Sequence, residues 1–239
     1  MDLYQKHAQE ALLKWQADMV RKPTVLNALS ALTQSKINSW IPDKVHKGIT
    51  GIMKQMIRGV LFGAEHTTAK PAIRNSFRAV EEEVQERITF YQKTAAVEGG
   101  ITGAGGIFLG LADFPILLGL KIKLLFEIAA LYGFDVSTYK ERLYILHIFE
   151  LAFSSHAHRK DVFLKMENWD AKSEALPEDL NQFDWRKFQQ EYRDYIDIAK
   201  MAQLVPVIGA PVGVVTNYGL VKKLGLTAMN AYRMRLLED

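Results

Sequence analysis

Residues 95–120 read AAVEGGITGAGGIFLGLADFPILLGL, a run of glycine and apolar residues in which only Glu98 and Asp113 are charged. A shorter relative follows at residues 205–221, VPVIGAPVGVVTNYGLV, with Asn217 as its conspicuous polar residue. Gly99 and Gly103, Gly106 and Gly110, and Gly209 and Gly213 form GxxxG pairs. Small residues one helical turn apart flatten a helix face, so that two backbones can approach closely. Both stretches are therefore expected to be helical hairpin segments packed inside a multi-helix bundle.

Working outward, the remaining pattern is helical. Leu3, Tyr4, His7, Ala8, Ala11, Leu12 and Trp15 recur at three- and four-residue spacing behind Asp2, a capping residue. Residues 25–40 form a second apolar segment, and Pro42-Asp43 signals a helix start. Val45, Ile49, Ile52, Met53, Met56, Ile57, Val60 and Leu61 then make one stripe, with Lys44, Lys47, Lys54 and Arg58 on the rest of the helix. After Pro71, Ile73, Phe77, Val80, Val84, Ile88 and Tyr91 form a narrow seam with a charged back of Glu81, Glu82, Glu83, Glu86 and Arg87, the pattern of a surface or partner-docking helix. Residues 121–133 predict a buried helix ended by Gly133, and residues 137–156 a helix apolar nearly all round. Residues 165–183 read as a loop or short docking segment. Two further helices are expected, one from Asp184 to Ala202 and one from about Asn217 to Leu237, with Pro206 and Pro211 breaking the segment between them. No strand alternation is sustained, so the fold class is all-α. Residues 1–70 divide off as a basic amphipathic region and 71–239 as a helical domain, the two expected to pack as one compact unit.

Composition bounds the function. Hydrophobic residues are 49% and charged residues 24% of the 239, with mean hydropathy −0.06, a balance unlike that of a polytopic membrane protein. Cysteine is absent, which removes disulfides and thiolate chemistry and fits a reducing compartment. The N-terminus lacks the basic and apolar regions of a secretory signal, and no N-glycosylation sequon occurs. The net charge of +3 is unevenly spread: residues 19–64 hold seven Lys or Arg against one acid, and residues 161–197 hold ten acids against five bases. A basic front and an acidic rear suit a preferred orientation toward an anionic surface. A basic amphipathic helix over residues 44–61 fits a membrane interface or an ordinary core-facing position, and its pattern alone does not separate them.

The glycine-rich stretches raise the question of membrane spans, which need about 20 predominantly apolar residues. Segment 95–120 has the length, but Asp113 inside a span costs roughly 2.5–3.5 kcal/mol. Segment 203–221 carries two prolines and Asn217. Each fits a buried or peripheral helical hairpin better than a simple span. The segments also resemble one another: Gly103-Ala104 precedes Asp113 by ten residues, and Gly209-Ala210 precedes Asn217 by eight. A buried Asp needs a hydrogen-bonding partner, which makes Asp113, Asn217, Arg233 and Arg235 candidate buried polar or binding residues. The competing reading is that Asp113 caps a helix starting near Pro115.

Searches for chemistry are mostly negative. No P-loop, dinucleotide-binding glycine motif, nucleophile elbow or H-E-x-x-H helix is present. His147 and Glu150 lie three apart near His156 and His158, but neighbouring Arg159 and Lys160 oppose a cation, so no metal is expected. No catalytic residues, cofactor or nucleic-acid partner are assigned; a single basic region is not a phosphate-tracking stripe.

The segments GGITGAGGIFLGLADFPILLGLKIKLLFEIAALYGFD, ERLYILHIFELA and VPVIGAPVGVVTNYGLVKKLGLTAMNAYRMRLLED together resemble the EcsC family of bacterial proteins, from about Pro71 to the C-terminus. Ala112-Asp113-x-Pro115, Tyr132-Gly133-x-Asp135, Pro206-x-x-Gly209-Ala210 with Asn217, and Arg233-x-Arg235 carry the likeness. The family is named for a gene neighbour of an ABC exporter's ATPase and membrane subunit. The resemblance implies a non-enzymatic accessory of an ABC-type transport or secretion system, cytoplasmic and peripheral at the inner face of the cell membrane. ABC transporter subunits or an anionic membrane surface are then the expected partners, met by Lys44, Lys47, Lys54 and Arg58. The alternative is an enzyme or binder of a lipid or peptide, with a pocket around Asp113 and Asn217.

Overall fold

The computed structural model describes residues 2–21, 43–62, 71, 76–103, 106–155, 158–177, 182 and 209–237. Among them the chain is all-α, with eight helices: α1 Leu3–Val20, α2 Asp43–Phe62, α3 Phe77–Gly103, α4 Gly106–Leu131, α5 Tyr139–Phe153, α6 Arg159–Met166, α7 Trp169–Glu174 and α8 Gly209–Leu237. The apolar segment at residues 25–40 and the helix expected from Asp184 to Ala202 lie outside the described residues. No described helix is long and apolar enough to cross a membrane.

Helix ends follow local chemistry. Asp2 Oδ1 accepts from the Gln5 backbone N–H at 2.7 Å, and Gln5 Oε1 accepts from the Asp2 N–H at 2.9 Å, a capping box that starts α1. Thr138 caps α5 by accepting from the Glu141 N–H at 3.3 Å. Gly133, with φ +90°, ends α4 as the spacing predicts. The Phe134 N–H donates to Ala129 O and the Gly133 N–H to Ala130 O, both at 3.0 Å, the paired bonds of a Schellman turn.

Three expectations need correction. Helix α4 starts at Gly106 and runs through Pro115, so Asp113 is inside a helix and does not cap one. Proline removes one backbone hydrogen bond there, but Phe114, Leu117 and Leu118 are buried around it and hold the helix together. Helix α8 starts at Gly209, not near Asn217, because Pro211 falls in its first turn, where a missing N–H is harmless. Residues 165–183 are not simply a loop: Asn168, left-handed at φ 49°, turns the chain from α6 into α7, which buries Trp169.

Helices α3, α4 and α8 form the centre, with α3 against both others. Helix α2 packs on α4 and α5, and α1 lies across α8, α6 and α3. One apolar cluster joins them, from Leu12 of α1 and Ile49 of α2 to Met234 of α8. Helices α3 and α8 approach closely at Gly225, where a Cβ would stand 2.5 Å from Ile88 Cγ1.

Candidate functional site

The antiparallel pairing of α3 and α8 is fixed by contacts along their length. Glu81 meets Arg233, Ile88 meets Gly225, and Gln92 donates to Tyr218 O at 3.4 Å. Helix α4 also runs against α3, with Tyr91 donating to Glu127 at 2.7 Å. The end of α3 and the starts of α4 and α8 therefore meet at one end of the bundle. Gly99 and Gly103 close α3, Gly106 and Gly110 open α4, and Gly209 and Gly213 open α8. The described parts of the two glycine-rich stretches thus lie toward the same end of the bundle.

Beneath that end lies Lys121, fully buried on α4. Its Nζ donates to Asn217 Oδ1 of α8 at 3.2 Å and to Leu117 O at 3.3 Å. Burial disfavours the ammonium and pushes its pKa down to about 7. Asn217 is itself fully buried, so its expected burial pairs it with a lysine. Asp113 is half-buried on α4, eight residues or about 12 Å nearer the helix start than Lys121. The sequence carries a signal for the burial of Lys121, which occupies the same i, i+3, i+4 stripe as Leu117, Leu118, Leu124 and Leu125, all buried.

At the opposite end, Glu81 is fully buried although its sequence neighbourhood reads as the charged back of a surface helix. Arg233 donates through Nε to Oε1 at 2.5 Å and through Nη2 to Oε2 at 2.7 Å. The Tyr4 hydroxyl donates to Oε2 at 2.9 Å and that of Tyr132 to Oε1 at 3.0 Å. Four donors thus satisfy one carboxylate, and α1, α3, α8 and the turn that follows α4 meet there. Burial, then the bond to Glu81, raises the Tyr4 pKa to about 12; burial, then the negative charge of Glu81, raises that of Tyr132 well above its usual value. Burial works against the Arg233 charge, but Glu81 outweighs it and holds the guanidinium pKa up.

A second cluster surrounds Arg235. Its Nη1 donates to Glu141 Oε2 at 2.7 Å, its Nε donates to Asp170 Oδ2 at 3.0 Å, and its Nη2 pairs with Asp170 Oδ1. The guanidinium lies 3.8 Å from the Phe134 ring centroid and 4.7 Å from that of Tyr144. Tyr232 donates to Glu141 Oε1 at 2.8 Å and stacks on Tyr132 at 5.6 Å, which joins the two clusters. Burial raises the Glu141 pKa despite Arg235 beside it. These groups are saturated by one another, which is the chemistry of a structural network.

On α2 the apolar stripe is spent on the core: Ile49, Met53, Ile57, Val60 and Leu61 are buried. Lys47, Lys54 and Arg58 are exposed on the opposite side; the side chain of Lys44 lies outside the described residues. Their spacing of seven and four places them on one helix face, a cationic row about 16 Å long. His147 Nδ1 lies 2.9 Å from Glu150 Oε2, and His158 Nδ1 lies 3.1 Å from Ser155 Oγ. No group of described residues is arranged to hold a metal ion.

The sequence matches the EcsC protein family over residues 6–237. It is 43% identical over 232 residues to Protein EcsC of Bacillus subtilis (strain 168), covering 97% of this chain and 95% of that one. It is 26% identical over 255 residues to Uncharacterized protein YdbA of the same strain, covering 98% and 92% of the two chains. No solved structure matches.

Proposed function

The chain belongs to the EcsC protein family, and on that premise we propose that it is a non-enzymatic accessory protein working at a membrane surface beside an ABC-type transport or secretion system. The observation that carries the membrane part is the outer face of α2. Its apolar stripe is anchored in the core, so Lys47, Lys54 and Arg58 are held outward by packing rather than left to find their own orientation. The only acid in this 20-residue helix is Asp43 at its start. Each cation near an anionic surface contributes about 1 kcal/mol at moderate salt, so three or four together give a reversible, orientation-specific attachment. Supporting the accessory part is the family resemblance, together with internal saturation of the buried charges Glu81, Glu141, Arg233 and Arg235 by structural partners.

The test is flotation with phosphatidylglycerol vesicles and with phosphatidylcholine vesicles at low and high salt. The reading expects binding to the anionic vesicles that weakens with salt and falls at least tenfold on reversing Lys47, Lys54 and Arg58 to Glu. Binding indifferent to this triple reversal overturns the role of the α2 face. Co-purification with a transporter's membrane subunit, lost in the same variant, is the expected result for the partner.

A further inference from the structure

We propose that the outward side of α3 pairs antiparallel with the same side of α3 in a second copy of this chain, about a twofold axis between Thr89 and Phe90. The inward side of α3 is spent on the bundle: Val80, Val84, Ile88, Tyr91 and Ala95 are buried. Opposite that seam stand Glu82, Glu86, Phe90, Lys93 and Val97, at steps of four, four, three and four residues. Those steps put them in one row, about 22 Å long on an α-helix. All five are exposed, Phe90 at 58% and Val97 at 63%, and Thr89 is exposed beside Phe90. Single exposed apolar residues are ordinary on a surface. Here two share a row, and Phe90 has carboxylates on one side of it and a lysine on the other, the layout of a helix-pairing seam.

The row complements itself in one arrangement. Antiparallel pairing about a point midway between positions 89 and 90 sets each residue against the one equally far on the other side, as a twofold axis requires. Glu86 then faces Lys93 of the second copy, and Lys93 faces Glu86 of the second copy. Phe90 faces Thr89 of the second copy, so the two phenyl rings fill the centre between the ion pairs. Glu82 faces Val97 of the second copy, its charge already balanced by Arg78 at 2.8 Å. Nothing within one molecule competes for the central charges. Neither Glu86 nor Lys93 forms an ion pair among the described residues, whereas Glu83 is met by Arg87 at 3.9 Å. Parallel pairing would set Glu86 on Glu86 and Lys93 on Lys93, and like charges repel. The sign of charge reverses about the midpoint of the row, and a partner carrying the same row in reverse matches both halves. That symmetry is why a second copy fits this face.

A contact between two helix rows falls below about 1,200 Å², the range of weak association. Sedimentation equilibrium of the full chain at low salt is therefore followed up to about 1 mM. The mass is expected to rise with concentration from 27.1 kDa toward twice that value. Glu86→Lys and Lys93→Glu each set like charges together on both sides of the axis and weaken association about tenfold or more. Phe90→Ala weakens it by about as much, through the lost apolar centre. All three positions are exposed, so circular dichroism is expected to show an unchanged fold. The two charge variants mixed in equal amounts associate with each other, because one row is then positive at positions 86 and 93 and the other negative. The double variant Glu86→Lys/Lys93→Glu recovers the homodimer. A wild-type chain that stays monomeric throughout overturns the proposal. So does a dimer indifferent to either reversal, which must use another face. Reversals that dissociate the dimer while their mixture fails to associate overturn the antiparallel register.

Discussion

Lys121 Nζ lies 3.2 Å from the side-chain oxygen of Asn217, so the fully buried amine of α4 faces an amide across α8. An amide dipole orients an ammonium but does not neutralise it, and burial therefore depresses the lysine pKa to about 7. The sign follows from proton counting. Between pH 7 and the unfolded lysine pKa near 10.5, the unfolded chain holds a proton that the folded chain does not. Stability therefore rises with pH in that window and is lowest below it. Lys121→Met removes the effect. Urea unfolding at pH 7, 8 and 9 is expected to show the wild type gaining up to about 1.4 kcal/mol per pH unit relative to Lys121→Met. Parallel pH dependences in the two proteins count against a neutral buried amine.

The α3–α8 crossing gives a steric prediction. An added Cβ at Gly225 meets Ile88 Cγ1 at 2.5 Å, Cδ1 at 2.8 Å and Cγ2 at 3.0 Å, so a β-branched side chain blocks it from three atoms. Gly225→Ala is expected to destabilise by about 1–3 kcal/mol through overpacking. Ile88→Ala alone costs about 2–5 kcal/mol, but the double variant should cost less than the sum, because each change makes room for the other. Strict additivity in denaturant unfolding would show that the helices separate freely at this point.

Glu81 is a buried acceptor of four donors, and its charge is balanced by Arg233. Glu81→Gln leaves that guanidinium beside a neutral amide in a low-dielectric site. The expected loss is about 3–5 kcal/mol, the usual consequence of breaking a buried pair from one side. Glu81→Met alone leaves the same charge unpaired, and adding Arg233→Met to it should recover part of the loss, since no unpaired charge remains. Calorimetric Tm values of the singles and the double decide the matter, and a double that loses the full sum of the singles refutes the pair as the origin.

Much of this was readable before the structure and some was not. Periodicity places α1 and α2, each with one apolar stripe, and a long run that is apolar nearly all round places α5. The glycine pairs fall at the end of α3 and the starts of α4 and α8, a placement that spacing alone does not give because it depends on α8 running against α3. The prolines misled because a breaker's effect depends on position: Pro211 is tolerated in a first turn, and Pro115 is overridden by burial of its neighbours. Glu81 and Lys121 escaped because a charge on a helix is read as solvent-facing unless its partner is known. Those partners, Arg233 and Asn217, are 152 and 96 residues away in sequence.

Arg235 separates two kinds of ion pair within one side chain. Its bond to Glu141 is enclosed, the two side chains being 7% and 6% exposed, whereas the Asp170 it also holds is 64% exposed. Water screens the second pair and not the first. Asp170→Asn is therefore expected to cost no more than about 1 kcal/mol, while Glu141→Gln, which leaves the guanidinium short of its buried counter-charge, costs about 3–5 kcal/mol. Arg235→Lys tests the remaining contribution. A lysine keeps the charge but loses the planar fork and the stacking against Phe134 and Tyr144, worth about 2 kcal/mol when desolvated. The expected order of loss in urea unfolding is therefore Asp170→Asn, then Arg235→Lys, then Glu141→Gln. An Asp170 variant as damaging as the Glu141 variant would mean that the exposed carboxylate, not the buried one, holds α7 and the end of α8 together.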